Sequence, residues 1–194
     1  MQIPLSFRFL CIAALIVSCQ QTNTNTPPKP ENASFTRNTY RNDFFGLSYK
    51  LPSEWHKSGV APAPLPSGAY YLFIGDRYTK NPKLSRVIVV ADPENANRPG
   101  LSTEEYLSAY VRGQVQSSHA EVMREPSPFV LGENSFDRAD YKWSENGMTL
   151  YASMVSIKRN GYWLSWSFTT PSQHELDDAV NTLQQISFDH PSPH

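Results

Sequence analysis

The sequence predicts an α+β fold in which helices flank an antiparallel β-sheet, the arrangement called an α/β/α sandwich. Three strand-like segments in the second half of the chain are joined by two Asn-Gly pairs, and such a pair between alternating apolar residues is a strong signal of a β-hairpin. Two further segments, one before and one after these strands, carry apolar residues at helical spacing. Amphipathic helices of this kind bury their apolar stripe against a sheet.

A short apolar run, Phe9 to Val17, ends just before Cys19. A helix of these nine residues is about 14 Å long, whereas the hydrocarbon core of a bilayer is about 30 Å thick. The run is therefore too short to span a membrane and has the length of a signal-peptide core. Ile16, Val17 and Ser18 before the cysteine resemble the lipobox of bacterial lipoproteins, in which the cysteine is lipidated after cleavage. The alternative is an ordinary cleaved signal with an incidental cysteine.

The residues around Cys19 also bear on the destination of the protein. More than one acyl chain makes a stable anchor, because each buried methylene contributes about 0.8 kcal/mol. Gln20, and not an aspartate, follows the cysteine, which in Gram-negative lipoproteins resembles a signal for sorting to the outer membrane. The resemblance implies a protein of the cell envelope, anchored by palmitate in the outer membrane and facing the periplasm.

Composition divides the chain into four parts. Residues 1–18 form the predicted signal peptide. Residues 19–42 are predicted to be a lipidated N-terminus and a disordered linker, because a segment so rich in Asn, Thr, Pro and Gln buries too little apolar surface to offset its ordering entropy. Residues 43–189 form the predicted folded domain, and residues 190–194 a flexible tail.

The first part of this domain contains three predicted strands. From Phe45 to Leu51, apolar and polar residues alternate, which is typical of a half-buried strand. Residues 69–76 and 86–92 are apolar on both faces, as expected of central strands that are covered on each side. The proline-rich residues 60–68 predict a loop before the second strand.

A helix is predicted next, because Ser102 and Glu105 form a capping box and Leu101 with Tyr106 fits a hydrophobic staple. Gly113 lies within this helix and costs about 1 kcal/mol relative to alanine. The predicted apolar stripe consists of Tyr106, Leu107, Tyr110, Val111 and Val115.

Strands dominate the next part of the chain. Residues 120–125 and 128–133 are predicted to be two short strands. An antiparallel meander of three strands follows, with turns at Asn146-Gly147 and Asn160-Gly161. Its predicted strands are residues 135–143, 148–157 and 162–169.

The last predicted element is a second helix. Thr170 is its predicted N-cap, with Pro171 at the first helical position. Its apolar residues recur at helical spacing and are Leu176, Ala179, Val180 and Leu183.

The first predicted strand carries a motif that resembles the opening of PsbP-like, or Mog1-like, proteins. Its order is an aromatic residue, glycine, an aliphatic residue, Ser or Thr, an aromatic residue, then Leu-Pro and a tryptophan shortly after. The matching residues are Phe45, Gly46, Leu47, Ser48, Tyr49, Leu51, Pro52 and Trp55. The resemblance implies an α/β/α sandwich over residues 43–189, no shared catalytic residues and a role in binding a protein partner.

The residues favour no enzyme chemistry, cofactor or metal. The 17 basic and 18 acidic side chains nearly balance, which gives no electrostatic case for nucleic acid. Both cysteines, Cys11 and Cys19, precede the predicted domain, so it has neither a thiolate metal site nor a cysteine nucleophile. Ser48 lies within a predicted strand and not at the strand-to-helix turn that a hydrolase elbow requires. His190 and His194 are separated by two prolines and cannot share a helix.

The predicted function is therefore that of a membrane-anchored envelope lipoprotein whose non-catalytic domain binds a protein partner or assists envelope assembly. Trp163 and Tyr151 of the aromatic-rich meander are the candidate partner contacts, although packing of Trp163 beneath a helix is the alternative. The alternative function is a small-molecule-binding or hydrolytic envelope protein with a pocket beside the sheet.

Lipidation at Cys19 is directly testable. The Cys19→Ala variant is expected to lose radiolabelled palmitate and to leave the membrane fraction, because no other cysteine follows the cleavage site. The Cys11→Ala variant is the matched control, since Cys11 lies within the predicted signal peptide, and it should keep both the label and the attachment. Mass spectrometry that finds an unmodified Cys19 at the mature N-terminus would overturn the assignment.

Overall fold

The computed structural model describes residues 29–58, 65, 67–78, 84–94 and 100–189. The predicted signal peptide, Cys19 and the tail at residues 190–194 lie outside the described residues, as does most of the loop at residues 60–68. The predicted order of strands, helix, meander and helix is confirmed.

Eleven strands are found in the described part of the chain. In chain order they are β1 (Ala33–Thr36), β2 (Thr39–Asn42), β3 (Leu47–Lys50), β4 (Trp55–Lys57), β5 (Tyr70–Tyr78), β6 (Leu84–Pro93), β7 (Glu121–Leu131), β8 (Asn134–Glu145), β9 (Met148–Arg159), β10 (Tyr162–Thr170) and β11 (Ile186–Phe188). Four of them form a small sheet in the order β1-β2-β3-β11, and seven form a large sheet in the order β4-β5-β6-β10-β9-β8-β7. The pairings in both sheets are antiparallel.

Two helices lie on opposite faces of the large sheet. Helix α1 (Thr103–Ser118) packs against β7, β8 and β9. Helix α2 (Gln173–Asn181), which a 3₁₀ turn (Thr182–Gln185) extends, packs on the other face against β9 and β10. The predicted α+β sandwich is therefore confirmed, and the small sheet is an additional layer on the α2 face.

The meander forms because its turns take the conformation that Asn-Gly pairs favour. Asn146 and Gly147 have φ values of 49° and 75°, and Asn160 and Gly161 have 49° and 76°. Two consecutive positive φ values define the type I′ turn, whose twist matches that of the flanking strands. The three predicted meander strands are confirmed as β8, β9 and β10.

The main core lies between the two sheets. Phe73 of β5 is fully buried, and the rings of Phe35, Tyr40 and Tyr49 from the small sheet lie 6.3, 4.7 and 6.0 Å from its ring centre. Burying a large apolar side chain contributes about 1.5–3 kcal/mol. Other buried members of this core are Leu51, Trp55, Val87, Val89, Leu164, Trp166, Phe168, Leu176 and Leu183.

The predicted linker is wrong over its last ten residues. Residues 33–42 form the β1–β2 hairpin, whose turn residues Arg37 and Asn38 have φ values of 47° and 63°. Tyr40, with 2% exposure, fastens the hairpin to the main core. The sequence pattern did not predict these strands, because the hairpin has only two aromatic side chains, Phe35 and Tyr40, among polar neighbours.

Strand β7 is one continuous edge strand and not the two short strands predicted. Pro126 and Pro128 lie within it, and its pairing with β8 shifts register on both sides of Arg124. Prolines are tolerated at the edge of a sheet and at bulges, because no inward ladder bond is lost there. The prolines therefore bend the strand without ending it.

Helix α1 begins as predicted. The Ser102 hydroxyl accepts a hydrogen bond from the Glu105 amide at 3.1 Å, and the Glu105 carboxylate accepts one from the Ser102 amide at 2.8 Å. Tyr106, Leu107 and Val111 of the predicted stripe are buried. Val115, at its end, is an exception, with 38% exposure.

Helix α2 begins two residues later than predicted. Ser172 is its N-cap and accepts a hydrogen bond from the Glu175 amide at 3.3 Å. Thr170 still belongs to β10 and donates to the Ser172 carbonyl at 2.8 Å, so the prediction of Thr170 as N-cap is wrong. The predicted apolar residues of this segment are fully buried: Leu176, Ala179, Val180 and Leu183.

The prediction of complete coverage for the central strands is correct for one face only. Val87 and Val89 of β6 are fully buried in the main core. Ile88 and Val90, on the opposite face, are half-buried, because α1 lies over the β7–β8–β9 side of the sheet.

Two glycines should respond in opposite directions to alanine. Gly46 has a φ of +60°, and a Cβ there would lie 3.0 Å from the Asp189 carbonyl oxygen, so Gly46→Ala should lower the free energy of unfolding by about 1–2 kcal/mol. Gly113→Ala is the matched control; a Cβ there meets nothing within 4 Å, and the variant should gain about 0.5–1 kcal/mol. Urea denaturation measures both, and a stabilising Gly46→Ala would contradict the strained-turn explanation.

Candidate interaction surface

Trp163 is not available to a partner in this fold. It points to the α1 face of β10 and is 0% exposed. Its ring stacks on that of Tyr106 with centres 4.6 Å apart and an angle of 3° between the planes, and Lys158 lies 5.7 Å from its ring centre. The expectation of an exposed Trp163 is therefore corrected, and the alternative of packing beneath a helix is what the structure contains.

Tyr151 keeps part of its surface. It lies on β9, opposite Lys142 of β8 and Thr170 of β10. Its side chain is half-buried and packs against the main core. Because part of its surface is covered by the core, Tyr151 offers a partner only a limited contact.

A groove between α1 and β7 is the more accessible apolar feature. Val111 and Val115 line it from the helix and Val122 from the strand. Arg112 and Glu125 flank it with opposite charges. We call these five residues the α1–β7 groove. Val115 is the last residue of the predicted apolar stripe on α1. The sequence signal for the groove is that this stripe is longer than the part of the helix that the sheet covers.

The adjoining edge of β7 resists strand addition. Pro126 and Pro128 supply no amide hydrogen, and the register shifts around Arg124 distort the edge. Prolines and bulges are devices by which proteins block pairing at sheet edges. A partner at this edge would therefore contact side chains, including Met123 and Val130, which are 41% and 67% exposed.

The first of two polar clusters holds α2 to the meander. The Arg138 guanidinium donates to Asp140 at 2.8 Å and to Asp177 of α2 at 3.1 Å. Arg138 also lies over the ring of Phe129, 5.2 Å from its centre. Arg138 and Asp140 are 7% and 6% exposed, so these two side chains are closed to substrate, whereas the Asp177 side chain is 52% exposed.

The second polar cluster holds the start of α2 to strands β5 and β6. The Arg77 guanidinium donates to Glu175 at 3.2 Å, and the Ser85 hydroxyl donates to the same carboxylate oxygen at 3.0 Å. Glu175 lies in the first turn of α2, where a carboxylate interacts favourably with the helix dipole. Both clusters orient a helix and place no nucleophile in a cleft.

Burial and neighbouring groups shift the pKa of three side chains on the large sheet. Burial alone would raise the pKa of Asp76, but the hydrogen bonds and charge of Arg86, at 2.8 and 3.3 Å, lower it below its ordinary value. Burial raises the pKa of the Tyr141 phenol, and Tyr110 raises it further. Burial and the charge of Glu104 raise the pKa of Asp137. Asp76 and Tyr141 thus keep one charge state through the neutral range.

The described residues contain neither a metal-ligand cluster nor a helix suited to span a membrane. Over that part of the chain, no three His, Cys, Asp or Glu side chains are grouped so as to hold a metal ion. None of its helices combines the length and the apolar composition that crossing a bilayer requires.

Comparison with known proteins finds likeness at the level of the fold. No protein-family profile and no curated protein matches the sequence. LpqN of Mycobacterium tuberculosis, described as involved in cell envelope biogenesis, aligns with a TM-score of 0.51 at 14% identity, over 74% of this chain and 83% of LpqN. PsbP of the cyanobacterium Synechocystis sp. PCC 6803 aligns with a TM-score of 0.48 at 13% identity, over 78% of this chain and 91% of that protein.

The likeness to LpqN shows a shared fold and carries no activity with it. The α/β/α arrangement implied by the PsbP-like resemblance is confirmed at the level of the fold. The Phe45–Trp55 motif has a structural explanation here: Phe45, Tyr49 and Trp55 are core residues, and Gly46 takes a positive φ.

The structural role of the first polar cluster is testable on β8. Arg138→Gln leaves Asp140 buried without its cation, so the free energy of unfolding should fall by about 3 kcal/mol. Lys142→Gln is the matched control; its partner Glu121 has a 68% exposed side chain, and the change should stay below about 0.5 kcal/mol. Equal losses in urea denaturation would show that burial of the Arg138 pair is not what matters.

Proposed function

We propose that this protein is a lipoprotein of the cell envelope, anchored through acyl chains on Cys19, whose domain binds a protein partner without catalysis. The observation that carries the proposal is the Ile16-Val17-Ser18-Cys19 sequence directly after a nine-residue apolar run. A run of that length serves export, and a cysteine at its border serves lipid attachment. Gln20 supports placement in the outer membrane, with the domain in the periplasm.

Two further observations support an envelope role. The described domain starts at Lys29, ten residues after Cys19, so the tether is short. LpqN, which shares the fold, is described as involved in cell envelope biogenesis. We infer that this chain likewise assists assembly in the envelope through the partner that it binds.

The α1–β7 groove is the surface that best suits a protein partner. Val115 is 38% exposed and shares the groove with half-buried Val122 and buried Val111, while Arg112 and Glu125 provide charges at the rim. An apolar centre with a polar rim is the usual anatomy of a protein interface. Because prolines interrupt the β7 edge, the partner fits this groove with side chains and not with an added strand.

Site-specific photo-crosslinking in cells tests this assignment. A photoreactive amino acid at Val115 is expected to give one discrete adduct with an envelope protein. The same amino acid at Met148, which is 46% exposed at a hairpin end of the meander, is the matched control and should give none. The adduct at 115 should disappear when Val122 is changed to Asp in a protein that retains its folded circular dichroism spectrum.

The outcomes separate the competing functions. Identical adduct patterns from positions 115 and 148, or no adduct from either, would refute partner binding at the groove. Turnover of a small substrate that is lost on changing polar residues would instead support the hydrolytic alternative. Palmitate labelling of Cys19 is an independent measurement, so the anchor and the partner are judged separately.

A further inference from the structure

The outer face of the small sheet carries cations among hydroxyl groups. Phe35, Tyr40, Leu47 and Tyr49 point into the main core, and successive side chains of a strand point to opposite faces. The outward positions of β1, β2 and β3 are therefore Ser34, Thr36, Thr39, Arg41, Ser48 and Lys50.

The pairing register places each cation beside hydroxyls. Arg41 lies opposite Ser34 on one side and Ser48 on the other, and Lys50 lies opposite Thr39. Arg37 stands in the hairpin turn next to them. We call Arg37, Arg41 and Lys50 with these hydroxyls the basic face.

The cations of the basic face are exposed and uncommitted to the fold. Arg37, Arg41 and Lys50 are exposed, and none of the three forms an ion pair with another described residue. Acidic residues also lie near this sheet: Asp178 shares a groove with Lys50, and Glu31, Asp43 and Glu54 lie before β1, after β2 and after β3 in the chain.

Charge is unevenly distributed along the domain. Residues 29–58, which include β1, β2 and β3, contain five Lys or Arg and three Asp or Glu, and residues 59–99 contain the same numbers, whereas residues 100–189 contain six Lys or Arg and twelve Asp or Glu. The balanced net charge of −1 for the whole chain conceals this asymmetry. The described residues begin at Lys29, within the part of the chain that has an excess of basic residues.

The length of the chain before Lys29 brings this end close to a bilayer. Lys29 is the tenth residue after Cys19, and an extended chain spans at most about 3.5 Å per residue, so the reach is at most about 35 Å. We propose that the basic face seats the domain on the headgroups of anionic phospholipids. This proposal rests on the proposed function, because lipid on Cys19 supplies the tether.

The physical reasons for this occupant are charge and distance. A Lys or Arg near an anionic leaflet is attracted to it within a Debye length, which is about 8 Å at physiological salt. Guanidinium, ammonium and hydroxyl groups are the donors that phosphate oxygens accept from. The small sheet and α1 lie on opposite faces of the large sheet. When the small sheet rests on the bilayer, the α1–β7 groove therefore faces away from it.

Thiol accessibility on vesicles tests the seating. The mature lipidated protein with Ser34→Cys, beside Arg41, is reconstituted in phosphatidylcholine vesicles with or without phosphatidylglycerol. Reaction of the new thiol with a water-soluble maleimide should slow several-fold on the anionic vesicles only. Ser117→Cys, exposed on α1, is the matched control and should react at one rate on both.

Charge reversal identifies the groups responsible. Arg41→Glu with Lys50→Glu should restore the fast rate, since each cation near an anionic surface shifts the seated population about fivefold. Added salt should restore it as well. An equal Ser34→Cys rate on both vesicle types, or slowing that the charge-reversed variant retains, would overturn the proposal.

Flotation with the neutral vesicles distinguishes failure of the anchor from failure of the basic face. Protein that does not float with phosphatidylcholine lacks a working lipid anchor, which would refute the proposed function. In that case, flotation with the anionic vesicles alone, lost on reversal of Arg41 and Lys50, would still support the basic face, and its absence would refute it.

Discussion

The contact of Phe73 with three aromatic rings of the small sheet is the interaction on which the architecture depends. Phe35, Tyr40 and Tyr49 come from three different strands and meet one side chain of the large sheet. The Tyr49 hydroxyl also lies 2.7 Å from the Thr182 hydroxyl, which ties this contact to the end of α2, and burial raises the pKa of that phenol. A short isolated hairpin is marginally stable in water. The small sheet therefore depends on this contact with the large sheet for its stability.

The parts of the fold that local chemistry determines were predictable from the sequence. The meander follows from two Asn-Gly turns, and α1 follows from the Ser102–Glu105 box, because each depends on residues close together in the chain. The β1–β2 hairpin was not predictable in this way, because its stability comes from a contact with Phe73 more than 30 residues away. Composition alone therefore assigned an ordered segment to the linker.

The same distinction applies to the candidate sites. Trp163 sits in a strand whose alternation predicts a side chain on the opposite face from Trp166, but whether α1 covers it depends on how far the helix extends over the sheet. The α1–β7 groove arises because Val115 extends past the cover that the edge strand provides. The basic face depends on register, which places Arg41 beside hydroxyls of two neighbouring strands. Residue type alone does not report such neighbours.

If the proposed lipid anchor holds the protein at a membrane, Pro126 and Pro128 have a further consequence. Lateral diffusion in two dimensions brings copies together far more often than diffusion in a volume of comparable size, and an unbroken exposed strand would let their sheets fuse into one. Two missing amide hydrogens and a bulged ladder remove that template. Strand β7 thus lacks the regular edge on which two copies of this chain could pair.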